Sequence, residues 1–161
     1  MRRVRSVLLS AAAASVTALL LAGCTSTVSL DAAPDANDPL CADVSVRLPA
    51  TVDGQERRWT DAQATAAWGD PAAVLFTCGL EPPGPTEARC ITIGGVDWIV
   101  DESEAPRYRV TTYGRSPAMQ VFLDNEVVST NDVLDRLGSI IRDTIPAERA
   151  CVSSESVLPD E

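Results

Sequence analysis

The sequence predicts one small α+β domain: an antiparallel sheet of four or more strands covered by a C-terminal amphipathic helix, with a short N-terminal helix and two disulfides. Three observations carry this. Short apolar runs rich in β-branched and aromatic residues recur between positions 72 and 123, divided by turns that contain Gly and Pro. One strongly periodic apolar stripe follows, between Ser129 and Pro146. Four cysteines, Cys41, Cys78, Cys90 and Cys151, are spread from position 41 to position 151.

The chain opens on a segment that is not fold material. Arg2, Arg3 and Arg5 precede an uncharged stretch from Ser6 to Gly23, and Leu21-Ala22-Gly23-Cys24 closes it. A basic start, an apolar middle and small residues before a cysteine have the form of an export signal with a lipobox, in which the Cys24 sulfur accepts a diacylglycerol. The expectation is a leader over 1–23 and a protein held on the outside of the cytoplasmic membrane through acylated Cys24. Two other readings stay open. An ordinary signal peptide would leave Cys24 as a free thiol. A retained membrane span is the other, although the stretch is near the lower limit of about 20 residues.

Cleavage before Cys24 leaves 138 of the 161 residues, and 10 of the 13 basic residues against 23 acidic ones, a net charge near −13. An anionic membrane repels such a domain, so acyl chains are the sensible hold. The same charge argues against nucleic acid as a partner. Residues 24–38, the acylated cysteine and a small, polar, acidic stretch, read as a flexible tether. As a random coil of about 14 residues it reaches on the order of 20 Å.

The folded domain is expected over 39–151. Asp38-Pro39 has the form of an N-cap followed by proline at the first helical position. Leu40, Val44 and Leu48 suit a helix ending at Pro49, while Val44, Val46 and Leu48 also alternate as in a strand. Asp53-Gly54 is a turn signal followed by charged residues. Gly69-Asp70-Pro71 leads into an apolar strand over Ala72–Cys78. Cys90–Ile93 and Val96–Val100 flank Gly94-Gly95, a two-residue hairpin signal. Val96, Trp98 and Val100 fall on one face and Asp97, Ile99 and Asp101 on the other. Arg107–Tyr113 and Ala118–Leu123 are two further strands around the turn Gly114–Pro117. Ser129 then caps a helix whose stripe is Leu134, Leu137, Ile141 and Ile145, stopped by Pro146. A polar, loose tail is expected over 152–161.

With Cys24 acylated, the remaining four cysteines suggest two disulfides in an exported domain, and three pairings are open. The Pro/Gly-rich loop Glu81–Glu87 between two apolar runs favours a local Cys78–Cys90 bridge. Cys41–Cys151 would then tie the ends together, a closure worth about 4–5 kcal/mol by loop entropy. Zinc is the rival use of these thiols, but there is no Cys-x-x-Cys pair and no histidine.

Ala67-Trp68-Gly69-Asp70-Pro71, Thr77-Cys78-Gly79, Gly95-Val96-Asp97-Trp98 and Thr112-Tyr113-Gly114-Arg115-Ser116-Pro117-Ala118, in this order, resemble the signature segments of an actinobacterial lipoprotein family catalogued as domain of unknown function 3515. The resemblance runs from about Cys41 to Cys151. It implies an anchored location and the extent of the domain, and it brings no activity. Val44 and Val46 make the opening segment more strand-like than the helix expected from such relatives.

The absent residues bound the chemistry. Without histidine or lysine there is no Ser-His-Asp or Cys-His nucleophile system, no imidazole metal ligand, and no Ser-Lys or Schiff-base chemistry. There is no Gly-x-Ser-x-Gly elbow and no phosphate-cradling glycine loop. Asp101-Glu102-Ser103-Glu104 lacks the spacing of a calcium loop. No metal and no cofactor is expected. Carboxylate chemistry is what remains, with Asp97 paired to Asp70 or Glu102 as the acid/base candidates of an envelope-glycan hydrolase. Such a pair needs about 5–10 Å between carboxyls. Asp97 and Asp101 alone stand roughly 13 Å apart along one strand.

The favoured expectation is a non-catalytic binding module for a partner protein or cell-envelope component. Arg115, following Tyr113 in a turn, can grip a carboxylate or a sugar acid, or pair with Asp97 or Asp70 and join two hairpins. Of three tryptophans among only seven aromatic residues, Trp68 and Trp98 are expected in the core and Trp59 at the surface. The expected binding face is therefore the region of Arg115, Tyr113, Trp59 and Asp70.

Overall fold

The computed structural model describes residues 27–151. The leader, Cys24 and the tail over 152–161 lie outside the described residues. Helix α1 (Pro39–Ser45) precedes strands β1 (Thr51–Val52), β2 (Gln55–Arg58), β3 (Thr65–Trp68), β4 (Val74–Leu80), β5 (Cys90–Ile93), β6 (Val96–Asp101), β7 (Arg107–Thr112) and β8 (Ala118–Asp124), and helix α2 (Thr130–Thr144) follows. All eight strands form one antiparallel sheet in the order β1-β2-β3-β4-β8-β7-β6-β5. Two four-stranded meanders thus meet at β4 and β8, in register from Val74 opposite Leu123 to Cys78 opposite Met119.

Both helices start where the sequence places caps. The Asp38 carboxylate accepts the Leu40 N–H at 2.8 Å, with Pro39 at the start of α1. The Ser129 side chain accepts the Asp132 N–H at the start of α2. The helical reading of 39–45 holds over the strand reading, because Val46, which supplied the alternation, is past the helix end and 82% exposed. The helix α2 stripe, Leu134, Leu137 and Ile141, is buried against the sheet, and so is Ile145 just beyond it. Cys41 and Val44 of α1 join Trp68, Phe76, Trp98, Val110, Met119 and Leu123 in the same core. Each buried indole finds a carbonyl: Trp68 donates to Pro49 O and Trp98 to Ile93 O, both at 3.1 Å. The opposite sheet face is half-buried and polar-rich. On it Arg109 lies 5.0 Å from the Phe122 ring centre and donates to Gln120 and Glu104.

Two expectations are corrected. The disulfides are Cys41–Cys78 and Cys90–Cys151, not Cys78–Cys90 with Cys41–Cys151. The reason is topological. Cys78 is on a central strand and Cys90 on the far edge strand, four strand spacings away, or about 19 Å, whereas bridged α-carbons stand within about 7 Å. Residues 81–89 are a crossover from the centre of the sheet to its edge, not a hairpin loop. The observed α-carbon separations are 5.6 Å for Cys41–Cys78, which pins α1 to β4, and 6.3 Å for Cys90–Cys151, which pins the segment after α2 to β5.

The second correction concerns the tether. Of the expected 24–38 linker, the described part packs on the domain. Val28 bridges to Thr60, and its N–H donates to Trp59 O at 2.8 Å. The Asp35 N–H donates to Gly79 O at 3.0 Å, and Ala33 and Ala36 are buried. Gly79 makes this approach possible: its φ is +102°, and a Cβ there would stand 2.5 Å from the Ala36 nitrogen. These contacts are made by backbone, so the polar composition of the stretch does not prevent them.

Digestion of the non-reduced protein followed by peptide mass spectrometry should recover Cys41–Cys78 and Cys90–Cys151 peptides. A Cys78–Cys90 peptide as the main product would contradict the strand order.

Candidate functional site

Strand β2 reads Gln-Glu-Arg-Arg and has no apolar alternation, yet it is held on both sides. Its first two residues pair with β1 and its last two with β3. The turn that starts it, Asp53-Gly54, is fixed from the far end of the chain, where the Ser129 N–H donates to the Asp53 carboxylate at 2.7 Å. Trp59 follows directly and is 79% exposed.

An open cavity of about 720 Å³ lies along β2, walled by Leu48 and Ala50 from the connector after α1 and by Arg57, Trp59 and Thr60. The connector is set by the Trp68 indole on Pro49 O and by Arg57, which donates to Leu48 O at 3.3 Å. Among the described residues Arg57 is in no ion pair. A second cavity, about 460 Å³, shares Glu56 to Trp59 and runs to Gly69 and Asp70. Asp70 is paired with Arg58 at 2.8 Å, and Arg58 also donates to Gly69 O at 3.0 Å. Trp59 and Asp70, both expected at a binding face, are therefore on adjoining cavities. Arg57 and Arg58 were missed, although the run Glu56-Arg57-Arg58-Trp59 places two guanidiniums beside an aromatic in the sequence itself.

The chain's entry is attached to this site. The Asp61 carboxylate takes the Ser29 hydroxyl at 2.7 Å and the Leu30 N–H at 2.9 Å. The Ser29 hydroxyl first, and the Leu30 N–H after it, hold the Asp61 carboxyl below the usual carboxylate range.

The other expected residues are not at this groove. Arg115 sits in the β7–β8 turn and is only 4% exposed, turned inward. Its partners are carbonyls, Ile145 O at the end of α2 and Gly95 O in the β5–β6 turn, and its Nε has none. It thus ties the α2 C-terminus to a hairpin, not through Asp97 or Asp70. Burial lowers its pKa; the Asp97 carboxylate partly offsets this and Arg142 adds to it. Tyr113 is half-buried, and its N–H donates to Asp97 O at 2.8 Å.

The structure does not bring the carboxylates together. Asp97 takes the Thr92 hydroxyl at 2.6 Å and the Cys151 N–H at 2.7 Å. Glu102 pairs with Arg89. Asp70 follows β3 and Asp97 is on β6, four strand spacings apart and at opposite ends of the sheet, so at least about 19 Å separates them. Asp97 and Glu102, five residues apart along one strand direction, are about 16 Å apart. Neither spacing suits a glycosidase pair. Among the described residues no group of three or more acidic or cysteine side chains could hold a metal. No described helix is long and apolar enough to cross a membrane.

The described residues thus form a helix-covered antiparallel sheet with a tryptophan–arginine groove near one edge. The family model described as "Protein of unknown function (DUF3515)" matches residues 4–150, and the chain belongs to that family. No curated protein and no solved structure matches it.

Replacing Arg115 by Ala leaves the Ile145 and Gly95 carbonyls without their charged donor. Stability should fall by about 2–4 kcal/mol in urea unfolding, with an unchanged groove. The Asp61 contacts carry a pH signature. A carboxyl with a depressed folded pKa stabilises above its unfolded pKa and loses that contribution as pH falls through the folded one. The protection of the Leu30 amide, its exchange rate relative to an unstructured amide at the same pH, should therefore hold from neutral to mildly acidic pH and fall only below the usual carboxylate range. Asp61→Asn should show the lowered protection already at neutral pH.

Proposed function

We propose that this protein is a lipid-anchored, non-catalytic binding module of the cell envelope, held outside the cytoplasmic membrane by acylated Cys24, with the β2 groove as its contact face. The observation that carries the reading is the division of the tryptophans: Trp68 and Trp98 are fully buried, whereas Trp59 stands 79% exposed beside Arg57 on the cavity of about 720 Å³. Tryptophan and arginine are among the residue types most enriched where binding energy concentrates. The lipobox Leu21–Cys24 supports the anchor, and the family match includes that segment. The separate engagement of Asp70, Asp97 and Glu102 favours binding over the carboxylate-hydrolase alternative.

A clickable fatty-acid analogue should label the wild type in cells and not Cys24→Ala. A photo-reactive residue at position 59 of the acylated protein should crosslink to an envelope component, with at most background from position 87 on the exposed crossover. Equal yields at the two positions would remove the groove from the reading. Labelling of Cys24→Ala would remove the anchor.

A further inference from the structure

The short reach from the anchor to the groove points to what the groove meets. Only Thr25, Ser26 and Thr27 stand between Cys24 and Val28, and the Val28 N–H is bonded to Trp59 O at 2.8 Å. Four α-carbon steps span at most about 14 Å. An acylated Cys24 sits at the membrane surface, so the Trp59 backbone, about 5 Å beyond Val28, is held within about 20 Å of the lipid head groups. A free coil over 24–38 would have let the domain turn any face to the membrane. The docked segment from Val28 to Asp38 leaves it one.

We infer that the groove's occupant is the head-group layer of the membrane that holds the anchor, with Trp59 in the interface and Arg57 on lipid phosphate. The inference rests on the lipid-anchor reading above. Tryptophan is at home in this layer because its ring is apolar and its N–H wants a partner. Arginine binds phosphate oxygens in a fork, and Arg57 is exposed and in no ion pair among the described residues. The face is also far less negative than the domain as a whole. Arg57 and Arg58 stand against Glu56, Asp70 and the nearby Asp61, whereas the mature chain as a whole carries 10 basic against 23 acidic residues. Docking is intramolecular, so weak contacts suffice: a short tether supplies an effective concentration in the millimolar range. Without the acyl chains the net charge should keep the domain off the membrane.

The test uses the acylated full chain reconstituted in phosphatidylcholine–phosphatidylglycerol vesicles with brominated acyl chains. Quenching of about one third of the emission is expected, the share of one tryptophan in three. Trp59→Phe, a surface change, should abolish the quenching, and a long Gly/Ser insertion after Ser26 should weaken it. Vesicle-bound protein with unquenched Trp59 overturns the docking and leaves the anchor standing. Cys24→Ala that floats with vesicles as well as the wild type overturns the anchor. A position-59 crosslink to a protein or a glycan, in place of lipid, overturns this inference and leaves the binding-module reading.

Discussion

The pairing of β4 with β8 is the constraint on which the rest depends. Each is the last strand of its own meander, and together they form the centre of the sheet. Val74, Phe76 and Cys78 on one and Met119, Val121 and Leu123 on the other are all fully buried on the helix-covered face. Because the chain arrives at the centre from one edge and must begin again at the other, residues 81–89 have to cross four strand spacings. The nine residues can span about 30 Å when extended, against about 19 Å needed. The pairing of the cysteines and the separation of the acidic residues follow from that single crossing.

The parts of the fold that were legible share a cause. The β5–β6 hairpin, β7, β8 and both helices carry local signals: a Gly-Gly turn, alternation, caps and an apolar stripe. Strands β1 to β3 carry less: Asp53-Gly54 marks the turn between the first two, but none of the three shows apolar alternation. Gln55–Arg58 is charged because it lies near an edge, and Thr65–Trp68 is built on two alanines that lack β-branching. The crossover looked like a hairpin because Pro and Gly mark turns of every length. Disulfide pairing depends on spatial order, which local signals do not encode. The docked N-terminal stretch was read as a linker since it is held by backbone hydrogen bonds, one serine–aspartate contact and two small alanines, none of which gives an apolar pattern.

At the site, scarcity made Trp59 legible: seven aromatic residues are too few to leave one exposed without consequence. Asp70 was legible as a turn residue beside it. Arg115 was legible as a residue that could join elements, but with carboxylates, not carbonyls, as the expected partners. Its carbonyl partners are 30 and 20 residues away, in elements that only the tertiary fold brings near. The groove and the entry of the chain share Trp59 and Thr60, so the shape of the groove and the path of the entering chain are not independent features of this domain.

Each disulfide closes within one side of the crossover: Cys41–Cys78 before residue 81 and Cys90–Cys151 after residue 89. A single backbone cut in that exposed loop would therefore leave two separately crosslinked fragments with no covalent bond between them. They would stay together only by the β4–β8 seam and the helices packed across it. The domain is in this sense a pair of complementary pieces, and one cut in the crossover would turn it into a heterodimer.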